Sequence, residues 1–241
     1  MSSHRAARPA PEKGVSTEAF PTAAPPPGRA EREVAAFGLI GGALLFWLSW
    51  SLMPQPGTTD AAFILAAVAG QRGSVLASAI LQTLCAVTLV PAALLAVRLR
   101  PARGARLLYV GAALLLVGAV GHGADAVYHQ MAYEMTAPGT QRSAMLPVMT
   151  RMQTEDVRLL IPLMLAFFAG AVCLAMGLVR ARWAKSWLWQ LYVLAALVAV
   201  GGRLAVSAGV LSARPVSLSV LGVVSVALAA TGWTLRKTPS A

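Results

Sequence analysis

The stretch Gly121-His122-Gly123-Ala124-Asp125-Ala126-Val127-Tyr128-His129 puts two imidazoles and a carboxylate inside an apolar block. Ionisable groups in hydrocarbon are costly, so they face other helices or a cavity rather than lipid. At about 100° per residue, His122, Asp125 and His129 share a helical sector of roughly 60°. Gly111 and Gly118 lie near the same sector, which suits close contact with neighbouring helices.

At about 1.5 Å per residue, in a block starting at 107, His122 lies about 22 Å along the axis, Asp125 about 27 Å and His129 about 33 Å. This depth predicts His129 at the far interface. Arg203, in a later block starting at 186, lies about 26 Å along in the same direction, and Gln82 about 12 Å in from that same far face. The matched depths predict an ion pair between Asp125 and Arg203, with His122 and Gln82 nearby. They also make the two helices that carry the pair neighbours.

Several chemistries could use such a set. An ion pair with satisfied imidazoles would fix helix register. The same groups around a pathway would suit a small proton-linked carrier, because imidazole titrates near neutral pH. His122, Asp125 and His129 are also competent ligands for a metal ion such as Zn. However, the histidines are two turns apart, about 10 Å, so one ion would need a break at Gly121 or Gly123. Haem ligation would need histidines on facing helices, and both of these are on one. A hydrolase would need a serine from another helix, such as Ser78 or Ser207, and no G-x-S-x-G, H-E-x-x-H or P-loop is present. An enzyme is therefore not the leading reading. Met131, Met135, Met145, Met149 and Met152 gather in the next segment. Thioethers suit Cu(I). The plainer reading is an apolar stripe, since Met145, Met149 and Met152 follow i, i+4, i+7 spacing on an amphipathic surface helix.

The elements that must position these groups follow from composition. Of 241 residues, 57% are hydrophobic and 12% charged, against about 25% charged in a soluble domain. The apolar residues fall in blocks near 20 long, the length that crosses a hydrocarbon core of about 30 Å. The expectation is an all-α polytopic transmembrane bundle with spans at 34–53, 74–97, 107–132, 157–179, 186–209 and 216–234. A polar, Pro-rich tail (1–33) precedes it and a short tail (236–241) follows, and the tail composition reads as disorder. Segment 59–70 is apolar but too short to cross. It reads as an interfacial helix capped by Thr59, with Asp60 at its dipole's positive end. Ser74 and Thr154 are further candidate caps, Gly38 and Gly42 form a GxxxG spacing, and Pro54 stops the first span.

The net charge of +11 is a matter of topology rather than nucleic-acid binding, since the basic residues sit between apolar blocks. Fourteen of the twenty Lys and Arg fall in the two tails and the second and fourth connections. This bias predicts both termini in the cytoplasm. Cys85 and Cys173 lie within spans and read as small packing residues.

Residues 54–106 combine a PQPGTTD loop, an FILAAVAGQRG helix, a span containing LVPAALLAVRL and a basic turn. In this they resemble uncharacterised multi-pass membrane proteins of high-GC bacteria. The resemblance implies a six- or seven-helix fold in a bacterial inner membrane and carries over no activity. The reading as a whole is a membrane protein of structural, regulatory or sensory kind. Its partners are the lipid bilayer and a second copy or another membrane protein, with no nucleic acid.

Overall fold

A computed structural model describes residues 28–54, 60–99 and 101–237, with only the main chain at 156 and 157. Within these residues are eight α-helices and no strand. The helices are α1 (Arg29–Leu52), α2 (Ala61–Gly70), α3 (Arg72–Val97), α4 (Ala105–Met135), α5 (Arg142–Arg151), α6 (Val157–Arg180), α7 (Trp187–Ser207) and α8 (Ala213–Arg236). Helices α1, α3, α4, α6, α7 and α8 are long and apolar enough to cross a membrane. Their surfaces carry large exposed apolar side chains such as Phe37, Leu44, Val87, Leu165 and Leu197, which is the face a bilayer solvates.

The helix ends differ from the sequence-based boundaries for local reasons. Helix α1 starts at Arg29, so residues 29–33 are helix and not tail. The Gly28 N–H donates to Glu31 Oε2 at 2.9 Å, Arg29 pairs with Glu33, and Arg98, the C-cap of α3, pairs with Glu31. Hydropathy marks only the part of a helix in hydrocarbon; a charged extension with good helix formers continues into water. Residues 1–27 and Thr59 lie outside the described residues. Asp60 itself caps α2, its Oδ1 accepting from the Ala62 and Phe63 N–H groups at 3.0 and 3.1 Å. Ser74 lies inside α3, which begins at Arg72. Thr154 caps nothing. It falls within a π-helical turn, Met152–Asp156, that joins α5 to α6, and its hydroxyl donates to the Thr150 carbonyl at 3.0 Å.

Around the bundle the packing order is α7, α8, α1, α3, α4, α6, with α7 touching α6 only lightly. Several helix contacts are backbone-close because side chains are missing. A Cβ on Gly111 would lie 2.9 Å from the Gly170 carbonyl oxygen, and one on Gly38 would lie 2.8 Å from Ala92 Cβ. The main core, built from Ala, Leu and Phe, runs through all six long helices. Helices α2 and α5 lie across one end, over a second and smaller core. That end is the capped end below, and the end carrying Glu31 and Arg98 is the opposite end.

Candidate functional site

The site lies between the two cores. Helix α1 contributes Phe46, Ser49 and Trp50, α3 contributes Ser78 and Gln82, and α4 contributes His122, Asp125 and His129. Phe167 of α6 closes one side. Ser49, Ser78, Gln82 and His122 are fully buried, and Asp125 is 4% and His129 2% exposed. Residues from three helices thus form one hydrogen-bonded set in the interior.

The start of the set follows from the end of α1. Pro54 has no N–H, and the Met53 N–H turns back to the Trp50 carbonyl at 3.2 Å. The last carbonyls of the helix therefore need other donors. Ser78 Oγ donates to the Ser49 carbonyl at 2.8 Å. A hydroxyl has one proton, so Ser78 Oγ is left to accept from His129 Nδ1 at 3.2 Å. His129 then carries a proton on Nδ1 and turns Nε2 toward Asp125 Oδ2, 3.7 Å away. Two lone pairs would repel there. The contact is favourable when one further proton resides on either group.

Gln82 completes the set. Its Oε1 accepts from Ser49 Oγ at 2.5 Å, and its Nε2 donates to Asp125 Oδ2 at 2.6 Å and lies 3.2 Å from His122 Nδ1. With the amide in this orientation His122 Nδ1 is an acceptor, and its proton sits on Nε2. That Nε2 has no hydrogen-bond partner among the described residues, nor does Trp50 Nε1. The His122 ring stands nearly perpendicular to Phe167, with centroids 4.6 Å apart, and meets Phe46 at 5.1 Å. Aromatic faces are weak acceptors for such an N–H. Trp50 covers His129 at 5.9 Å.

Of the residues singled out by sequence, His122, Asp125, His129 and Gln82 come together and Arg203 does not. Arg203 is exposed on α7, which packs chiefly on α8. The expected ion pair with Asp125, and the expected adjacency of the helices carrying them, are therefore corrected. Depth along a span sets height but not which helix stands beside it. Arg203 lies four residues before the end of α7, where a long side chain can reach the interface without a buried partner. His129 is enclosed by protein, six residues before the end of α4, with the Trp50 ring nearly perpendicular to its own.

Ser78 touches His129, whereas Ser207 is exposed and bonds the Leu204 carbonyl. A serine beside a histidine beside an aspartate has the composition of a nucleophilic triad. Here the hydroxyl proton is committed to the Ser49 carbonyl and the oxygen is buried, so Ser78 is not presented to solvent as a nucleophile. Among the described residues no three His, Cys, Asp or Glu side chains gather as a metal-ligand set. A groove of about 310 Å³ lined by Val127, Gln130, Met131, Glu134 and Met135 runs along the exposed side of α4, away from the set.

Sequence reasoning missed Ser49 and left Ser78 as one of two arbitrary choices. The signal for both was Pro54, which removes a backbone donor and creates a demand for hydroxyls near the end of α1. Comparison of the chain with protein-family models, with curated proteins and with solved structures gives no match.

Proposed function

We propose that this chain is a non-enzymatic membrane protein of sensory or regulatory kind, whose buried Asp125 and His129 share one exchangeable proton and report acidity on the capped side. One observation carries the reading. Among the described residues, the one ionisable group within salt-bridge distance of the buried Asp125 carboxylate is His129, at 3.7 Å. A purely structural ion pair is better served by arginine, which stays charged. With imidazole as the neighbour, the charge of the site depends on proton occupancy.

A sensor fits better than a proton-linked carrier. Beyond His122 toward the opposite end, the buried positions include Ala119, Leu115, Leu89, Phe46, Phe167 and Cys85, whose thiol donates to the Gly42 carbonyl at 3.3 Å. These offer no relay that would carry a proton onward. We place the capped side outside a bacterial inner membrane and both termini in the cytoplasm, on the distribution of Lys and Arg.

The test is thermal unfolding of the purified protein in nanodiscs across about pH 5–8, where imidazoles titrate. The wild-type midpoint is expected to move with pH, and Asp125→Asn to flatten the profile. Infrared difference spectra should show a carboxyl C=O band in the wild type that the variant lacks. An unchanged pH profile in Asp125→Asn, or no pH-dependent carboxyl band, overturns the reading.

A further inference from the structure

A pair that reports acidity on the capped side must exchange protons with that side, yet an apolar layer covers it there. One turn from His129 toward the capped end stands Ala132, one turn from Ser78 stands Val75, and one turn from Ser49 stands Met53. Ala132 and Val75 are wholly buried, and all three belong to the small core that side chains of α2 and α5 complete. A proton moving between Asp125 or His129 and the capped side has to pass this layer.

The two short helices close the layer unequally. Helix α2 is capped by Asp60, and it runs into α3 through the single residue Gln71. Ile64, Leu65 and Val68 anchor it in the small core. Helix α5 has one buried residue, Met149, and no side-chain bond at its N-cap. Pro147 lies inside it, so the Ser143 carbonyl loses its helical donor. Gly139, at φ 87°, turns the chain before it, and the π-helical turn follows it. A short helix with so few buried side chains opens more readily than the bundle unfolds.

A polar contact beside the pair ties α5 down. Gln153 Nε2 donates to the Tyr128 hydroxyl, which donates to Met149 Sδ at 3.6 Å. Tyr128 stands on α4 next to His129, with the ring centroids 6.4 Å apart. One hydroxyl of α4 thus meets both the end of α5 and the π-helical turn.

We propose that α5 is a lid over the pair of Asp125 and His129, hinged at Gly139 and at the π-helical turn, and that Tyr128 with Gln153 and Met149 is its latch. Opening withdraws Met149 from the small core and brings water of the capped side to the layer of Ala132 and Val75. The inference rests on the reading of Asp125 and His129 as an exchanging pair, and adds the step that sets the rate of exchange. From α1 and α3 the pair is faced by Ser49, Trp50, Ser78 and Gln82, none of which changes charge where imidazole titrates. On α4 its titratable neighbours are His122 and Tyr128.

The full chain in nanodiscs serves for the test. In the wild type, hydrogen exchange read by mass spectrometry should reach the α5 amides before those of α2. Ala132→Cys, in a Cys173→Ala background, reports opening through labelling by a small water-soluble thiosulfonate. Gln153→Leu and Tyr128→Phe should each speed labelling about fivefold, the weight of one hydrogen bond in an opening equilibrium, and together no further. Pro147→Ala should slow it. Exchange of the Asp125 carboxyl band in heavy water should change by the same factors. Should Ala132→Cys fail to fold, Val75→Cys takes its place. Labelling that ignores the latch variants, or α5 amides that exchange no sooner than those of α2, overturns the lid. Labelling that responds while the carboxyl band does not overturns its role as a gate. If the carboxyl band is missing altogether, the sensory reading fails, and labelling still decides the lid.

Discussion

The two ends of this bundle are held together by different physics. Toward the opposite end, α4 and α6 approach until Gly111 and Gly170 leave no room for a Cβ, and the buried side chains are mostly Ala and Leu. Toward the capped end, the helices are joined by Ser49, Ser78, Gln82, Asp125 and the two histidines, under a layer rich in sulfur. In lipid, apolar side chains gain little by leaving hydrocarbon, so helices associate through close packing and hydrogen bonds. One end uses mainly the first device and the other mainly the second. The first end should tolerate loss of polarity but not added volume; the second should show the reverse.

The contrast can be broken by substitution. The largest effect is expected for Gly111→Leu, whose Cβ would meet Leu174 N at 2.6 Å and the Gly170 carbonyl at 2.9 Å. Backbone on the facing helix cannot yield as a side-chain tip can, so a loss of about 3 kcal/mol is expected. Unfolding in detergent or by force would measure it, and a near-neutral result would mean α4 and α6 are not in backbone contact. Next is Gln82→Leu, which keeps most of the volume but removes one partner each from Ser49, Asp125 and His122, leaving Ser49 its bond to the Phe46 carbonyl and Asp125 its contact with His129. About 2 kcal/mol should be lost, and Gln82→Glu should not restore it, because a second carboxylate would face Asp125. Ser78→Ala follows, at about 1 kcal/mol, within the range for interhelical hydrogen bonds in membranes. Its more telling readout is the ¹⁵N spectrum of His129, which should lose the Nδ1-protonated signature. Arg203→Gln should change stability by less than about 0.5 kcal/mol. A larger loss would mean that Arg203 has a buried partner after all.

Much of the site was legible in the sequence, but not its wiring. The single-helix geometry of His122, Asp125 and His129 followed from 3.6-residue periodicity, because all three ride on α4. Gln82 was placed near them by depth alone, and depth was enough because α3 is the neighbour of α4. The same reasoning put Arg203 beside Asp125 and failed, because α7 packs on α8 instead. Nothing in one helix's sequence records the rotation of a different helix about the bundle axis.

The feature that opened the sequence reading, a buried carboxylate between two imidazoles, thus keeps its place and changes its partner. By itself the sequence determined the spans, through apolar blocks matched to bilayer thickness. It also determined the face of α4 that turns inward, and the stop at Pro54 that leaves carbonyls wanting donors. Only the tertiary structure decided that those donors come from α3 and that the neighbour of Asp125 is His129 and not an arginine. It alone placed Met53, Met135, Met149 and Met152 in one small core with residues of α2. The division has a physical cause. Periodicity and hydropathy are properties of one helix against its solvent, whereas hydrogen-bond partners and converging side chains depend on which helices stand side by side and how each is turned.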